Sequence, residues 1–292
     1  MTAQATAAAL AALAVLAGIA GIACTPPATP LPRACNGHVE LCDRHFDEVT
    51  LAGAHNAMSS VHDAFAAPNQ REDIPAQLQL GIRAFLIDSY SESDGLFLCH
   101  ASCLLGKIPL VDALHVYRQF LDGHPNEVIG LMVEDYATPD ELAAAMADAD
   151  LISDVVVHAP ADPWPSLGEL IDAHTRVFVT AEHSGPPPAF NQPMFEHYVD
   201  TPFTFASQAD IEAPASCDKN RGDDSNPMML VNHWVENPIP DEALAAVANA
   251  HDALKARVDR CAVTRGHRPN VVAVDFVGTG DVLQVVDELN GL

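Results

Sequence analysis

Short runs of β-branched and aliphatic residues recur along the chain: EVTLAGA, IRAFLID, LFLCH, VIGLMVE, VVVHA, RVFVTA, MMLVNH and VVAVDF. Helix signatures lie between several of them. Thr138-Pro139-Asp140-Glu141 reads as a capping box with proline at the first helical position, and Ser166 with Glu169 makes a second box. Residues 241–262 and 282–289 carry apolar positions at helical spacing. Strand–helix alternation on this scale predicts an α/β fold, a (β/α)8 TIM barrel that is irregular in places. A doubly wound open sheet is the competing architecture, but no Gly-rich phosphate loop follows the first run.

The polar residues fall at one place in the pattern. His55 follows the first run, Asp88 ends the second and His100 ends the third. Glu134 ends the fourth, Asn232-His233 end the seventh, and Asp275 lies near the end of the eighth. Strand interiors in a parallel barrel have no use for ionisable groups, whereas the C-terminal tips of the strands are where barrel enzymes carry chemistry. Six runs repeating this placement predict a polar site at that end.

Composition narrows the function. The 292 residues are 49% hydrophobic and 18% charged, enough for a sizeable core. Lys plus Arg number 14 against 40 Asp plus Glu, a formal charge of −26. Such a field disfavours nucleic acid and anionic membrane surfaces as partners. Any phosphate handled here must meet a local cation: Arg, Lys, protonated His or a metal.

Residues 7–23 form an uncharged Ala/Leu/Ile/Gly run that ends at Cys24, short for a membrane span and preceded by no Lys or Arg. Residues 1–24 are expected to be a signal peptide or lipoprotein signal, with Cys24 a lipid-anchor candidate that would tether the protein to a membrane. Residues 25–45 hold the tether TPPATPLPRA and a cysteine pair, and residues 46–292 the barrel. Without Cys24, six cysteines remain: Cys35, Cys42, Cys99, Cys103, Cys217 and Cys261. Six thiols allow about 15 pairings, and locality favours Cys35–Cys42, Cys99–Cys103 and Cys217–Cys261. No CxxC pair is present, so disulfides in an extracytoplasmic compartment outrank a metal cluster. A monomer is expected.

The segments LAGAHNAMSS, QLQLGIRAFLIDSY, LFLCHASC, NEVIGLMVEDY and NVVAVDF resemble, in order and spacing, the X-domain phosphodiesterases that include the phosphatidylinositol-specific phospholipases C. The plant-type phospholipase-C-like group is also similar at Asp162-Pro163-Trp164-Pro165 and Cys99-His100. The resemblance implies that His55 is the base that takes the inositol 2-hydroxyl proton. It implies that His100 protonates the leaving glycerol oxygen and later activates water on the cyclic phosphate. Asn56, Asp88 and Glu134 match the calcium ligands of the animal-type enzymes, a hard-oxygen set suited to Ca²⁺. Two departures matter. Leu86 stands where the animal enzymes place another carboxylate, and Asp88 stands where metal-independent bacterial enzymes place an arginine.

Asp275, on the last strand beside the first, is expected to fix the tautomer of His55. Arg83, five residues before Asp88, is expected to face the helices. Lys107 beyond Cys103 is a candidate phosphate contact, and His233 and Trp234 are candidates to line the pocket, with an aromatic face for a sugar ring. A glycerophosphodiesterase-like or sphingomyelinase-D-like activity is a second reading, weakened by GAHN in place of an HRG opening. A non-catalytic lipid- or sugar-binding barrel is a third, kept open by Leu86.

Overall fold

The computed structural model describes residues 1, 32–183 and 192–292. The leader, Cys24 and most of the Pro-rich tether therefore lie outside the described residues. Residues 33–292 form one unit. Its strands are β1 (Leu51–Ala54), β2 (Ala84–Glu92), β3 (Gly95–Leu98), β4 (Ile108–Pro109), β5 (Ile129–Asp135), β6 (Val155–Val156), β7 (Val177–Ala181), β8 (Gln192–Pro193), β9 (Tyr198–Asp200), β10 (Met228–His233) and β11 (Pro269–Val274). They make one curled sheet in the order β6-β7-β5-β2-β1-β11-β10-β9, parallel throughout that path. This is the expected barrel-like α/β architecture. The first and last long strands of the chain, β1 and β11, lie side by side in register from Leu51↔Val271 to Ala54↔Val274. A Cβ on Gly53 would come within 2.9 Å of Val271 Cγ1, so a bare backbone is what permits that close approach.

Three features depart from the sequence-based expectation. The run LFLCH is not a barrel stave. It forms β3, which folds back antiparallel on β2 as a hairpin arm, Ser89 opposite Leu98 and Glu92 opposite Gly95. The two-residue turn Ser93-Asp94, followed by Gly95 at φ 145°, makes the reversal. Next, β5 pairs directly with β7, while β6 and β8 share the far edge of β7, β6 low and β8 high. Among the described residues no ladder joins that edge to β9. Finally, residues 241–262 are two helices, Glu242–Ala248 and His251–Arg265. Asn249 interrupts them, and its side-chain amide donates to the Asp275 and Thr279 carbonyls at 2.8 and 3.1 Å.

Both capping boxes are present, starting helices Pro139–Asp148 and Leu167–Asp172, and residues Val282–Asn290 form the last helix. The three local disulfides are formed.

Strand alternation sorts the side chains into two layers. Phe85, Ile87, Leu131, Val133, Val179, Val231 and Val274 face the surrounding helices, whereas Ala84, Met132, Phe178, Leu230 and Ala273 fill the interior. The interior parity runs on through Leu86 to Asp88, Met132 to Glu134, Leu230 to Asn232 and Ala273 to Asp275. His233 has the opposite parity. It is fully buried toward helix His251–Arg265, with Nε2 2.9 Å from the Ala248 carbonyl and Nδ1 3.2 Å from the Arg257 guanidinium. Expected in the pocket, His233 is instead part of the wall behind it. Arg83 shares the outward parity and pairs with Glu127 at 2.7 Å.

Burial and the neighbouring Arg257 charge push the His233 imidazole down to about 3 from the usual 6.5. Between those values the unfolded chain binds a proton that the folded chain refuses, so stability is full above pH 6.5 and falls as the pH drops toward 3, by at most about 1.4 kcal/mol per pH unit. His233→Gln keeps a donor for Ala248 and an acceptor for Arg257. It should flatten the fall of melting temperature between pH 6 and pH 4. Parallel profiles for the two proteins would show that His233 does not carry the acid sensitivity.

Candidate active site at the strand ends

The residues at the inner strand tips converge on two adjoining cavities. The first is lined by His55, Asn56, Asp88, Glu134, Glu182 and Arg221, with Leu86 and Trp234 also at its wall. The second, of about 360 Å³, is lined by His55, His100, Glu134, Trp234 and Glu236. His55 and His100 therefore share one compartment, their rings edge to face with centroids 6.4 Å apart.

His55 reaches its place by parity, two residues beyond Gly53 on β1. It is held on three sides. Nδ1 lies 2.8 Å from Asp275 Oδ1, the Asn56 amide nitrogen lies 3.1 Å from Nε2, and Trp234 stacks on the ring at 3.6 Å. These partners assign the proton to Nδ1, donated to the Asp275 carboxylate, and leave a lone pair on Nε2. Asn69, itself fully buried, donates one amide nitrogen to both Asp275 Oδ1 and Glu236 Oε1, at 3.2 and 3.1 Å. Trp234 thus spends one face on His55.

His100 is positioned differently, by a short loop rather than by a stave. The Cys99–Cys103 disulfide closes the loop, Ser102 N–H donates to the His100 carbonyl at 2.6 Å, and Ala66 N–H donates to the Leu105 carbonyl at 2.7 Å. The Phe65 ring seats against Gly106, where a Cβ would come within 2.5 Å of it.

Burial sets the electrostatics. It pushes His55 down to about 4, against the pull of Glu236 and Glu134. His100 falls to about 4 by burial and by its neighbour His55. Burial, then the Glu134 and Glu182 charges, hold the Asp88 carboxyl well above its usual range, and burial does the same to Asp275 against the donation from Asn69. The Asp88 carboxylate accepts no hydrogen bond from a described residue. Asp88 and Glu134 face each other across the β2–β5 ladder.

Sequence reasoning missed Glu182, Arg221, Glu236 and Asn69. Glu182 continues the inner parity of β7 through Phe178 and Thr180. Arg221 comes from the segment before β10, and no local pattern announces it. Its Nη1 lies 2.7 Å from Glu182 Oε2, and its Nε and Nη2 lie 2.9 and 2.6 Å from Asp200 Oδ2. Lys107 is not brought to the site. It pairs with Asp94 at 2.7 Å and lies over the Phe97 ring, on the β3 hairpin.

A family model described as PI-PLC X matches residues 41–290. The chain belongs to the PI-PLC X-domain family. It is 32% identical over 285 residues to a PI-PLC X domain-containing protein of Arthroderma benhamiae, covering 88% of this chain and 90% of that one. A PI-PLC X domain-containing protein of Arabidopsis thaliana is 24% identical, over 84% of this chain and 62% of its own length. A secreted protein of Arthroderma benhamiae is 28% identical, over 89% of this chain and 64% of its own. The chain thus spans just under two-thirds of those last two relatives. Phosphatidylinositol-specific phospholipase C of Staphylococcus aureus superposes with a TM-score of 0.60 at 15% identity, over 86% of this chain and 95% of that one, a likeness of fold.

A disulfide closing so short a loop contributes about 2 kcal/mol in the chain-entropy account. The Cys99→Ala/Cys103→Ala double variant should therefore lose about that much stability in a denaturant titration. Unchanged stability would mean that Phe65 and the Ala66–Leu105 bond hold the loop unaided.

Proposed function

We propose that the protein is an extracytoplasmic phosphodiesterase that cleaves phosphatidylinositol-like lipids through a cyclic phosphate, His55 acting as base and His100 as acid. The observation that carries this reading is the pair of imidazoles opening on one cavity, 6.4 Å apart between centroids, with room for a phosphoryl group against both. Three disulfides, the secreted relative and the absence of any described helix long and apolar enough to cross a membrane are compatible with work outside the cytosol.

Each residue has a task in this scheme. With its imidazole held near 4, His55 is uncharged at neutral pH. Its Nε2 lone pair, which accepts from the Asn56 amide, takes the proton of a hydroxyl vicinal to the phosphate once a substrate displaces that contact. As the hydroxyl oxygen bonds to phosphorus, Asp275 stabilises the imidazolium that forms. His100, neutral in the ligand-free site, gains a proton when a phosphate anion enters beside it, because an adjacent negative charge favours the charged imidazole. It delivers that proton to the departing alkoxide. In the second half the roles reverse, and His100 deprotonates water for opening of the cyclic ester.

The donor set Asn56, Asp88 and Glu134 fits a calcium ion: all offer oxygen ligands, and Asp88 is a buried carboxylate that accepts no hydrogen bond from a described residue. Bound there, the ion would neutralise phosphate charge in a pocket crowded with carboxylates. Leu86 lines that cavity where a further carboxylate would sit, so the affinity is expected to be modest.

Hydrolysis of phosphatidylinositol should release a cyclic inositol phosphate, resolved by phosphorus NMR. His55→Ala and His100→Ala should each lower turnover by roughly 10²–10⁴-fold. Undiminished turnover in either variant removes the mechanism. No hydrolysis of any phosphodiester, with both histidines intact, would favour a lipid- or sugar-binding barrel.

Calcium should raise the melting temperature of the wild type, and Glu134→Gln should abolish most of that rise. Equal shifts in the two proteins would place the ion elsewhere.

A further inference from the structure

The carboxylates around His55 outnumber what the calcium reading uses. Glu236, three residues past the end of β10, opens on the same cavity as both histidines. Its carboxylate and that of Asp275 hang on the single amide nitrogen of Asn69. His55, Glu236 and Asp275 each offer one donor atom, and these atoms all lie within 4.8 Å of one another. Among the described residues this is the one group of three His, Cys, Asp or Glu side chains so arranged.

A second observation points to a missing partner. Asp275 is 2% exposed, yet its Oδ2 has no hydrogen-bond partner among the described residues. Asn69 Oδ1, in a fully buried side chain, is in the same condition. Leaving a buried acceptor unpaired costs about 1–3 kcal/mol, so such atoms ordinarily have a bound proton, water or ion. Two carboxylates meet here, and among the described residues only the Asn69 amide and the His55 N–H donate to their side chains. The cluster is short of positive charge.

The donors identify the class of cation. Calcium prefers oxygen throughout, whereas an imidazole nitrogen with two carboxylates suits the borderline divalent ions, zinc above all. Asn69 holds both carboxylates from behind, the outer-layer arrangement that orients ligands before the metal arrives. The place is distinct in chemistry from the Asn56, Asp88 and Glu134 set, although the two border one pocket.

We propose that His55, Glu236 and Asp275 form a site for a zinc-class divalent cation, and that filling it switches His55 off. The switching half rests on the function proposed above; the binding half does not. Zinc takes the lone pair of Nδ1. The proton that Nδ1 now donates to Asp275 moves to Nε2, so the ring stays neutral and no proton is lost. Nε2 then carries a hydrogen and cannot accept one from a substrate hydroxyl. The metal would also engage the Asp275 carboxylate that otherwise stabilises an imidazolium.

The test is a titration of the untagged, calcium-free protein with Co²⁺, followed by visible absorption, and with Zn²⁺, followed by calorimetry, both without substrate. One equivalent should bind, and Glu236→Gln and Asp275→Asn should each weaken it roughly tenfold or more. Glu134→Gln should leave it unchanged. Nitrogen-15 NMR of the His55 ring should show the proton on Nε2 once zinc is bound. Thermal melting verifies that each variant is folded, and Glu236→Gln carries the test where Asp275→Asn is not. Zinc affinity untouched by Glu236→Gln, or lost in Glu134→Gln instead, overturns the site. Full-rate hydrolysis with the site saturated overturns the switch. Zinc binding as described in a protein that cleaves no phosphodiester supports the site and sinks the phosphodiesterase reading alone.

Discussion

The site depends on one contact across the seam of the sheet, the hydrogen bond from His55 to Asp275, residues 220 positions apart in the chain. It exists because β1 and β11, the first and last long strands, are neighbours in exact parallel register. The imidazole therefore has its partner only when the last long strand has paired with the first. Local elements reinforce the contact: Asn69 secures the carboxylate, Trp234 covers the ring, and Gln70 donates to the His55 and Val274 carbonyls at 2.7 and 3.1 Å. An imidazole fixed this way pays little orientation entropy when a substrate arrives.

Strand alternation accounts for what the sequence made legible. Leu51, Gly53 and His55 share a face, as do Leu86 and Asp88, Met132 and Glu134, and Ala273 and Asp275. A polar residue at the end of an apolar run, two positions from an inward one, is placed by the pleat alone. The same rule explains an error. His233 ends its run as Glu134 does, but it follows Val231 outward, and its neighbour Asn232 is the inward residue. Glu182 obeyed the rule too, one position beyond the run RVFVTA, where the apolar signal had stopped. His100 reached the pocket for a different reason than its run implied. LFLCH is a short apolar run of Leu, Phe and Cys, and periodicity cannot tell a barrel stave from a hairpin arm that packs on one. Asn69, Arg221 and Glu236 sit on loops, where side-chain position is set by tertiary contacts and no period records it.

Charge shows the same split between composition and place. The formal charge of −26 is a surface statement, whereas the pocket is acidic for its own reasons. Asp88, Glu134, Glu182 and Glu236 border it, and the one guanidinium among them is already engaged: Arg221 is bound to both Glu182 and Asp200. A guanidinium shared by two carboxylates offers little net positive charge to an anion. Under the function proposed above, a phosphate would therefore have to rely on protonated imidazole or on a metal.

Leu86 sharpens that point. It is on the inner face between Ala84 and Asp88, and a carboxylate there would add a fourth anion beside three whose charges already oppose one another. Burial and like charge hold Asp88 above its usual range even without it. An apolar side chain at this position lowers the repulsion the empty pocket must store. It also gives up a ligand when a cation is present. Under the calcium reading proposed above, that exchange would favour a site that stands folded without metal and takes one up weakly, while Glu134 acts on both His55 and Asp88.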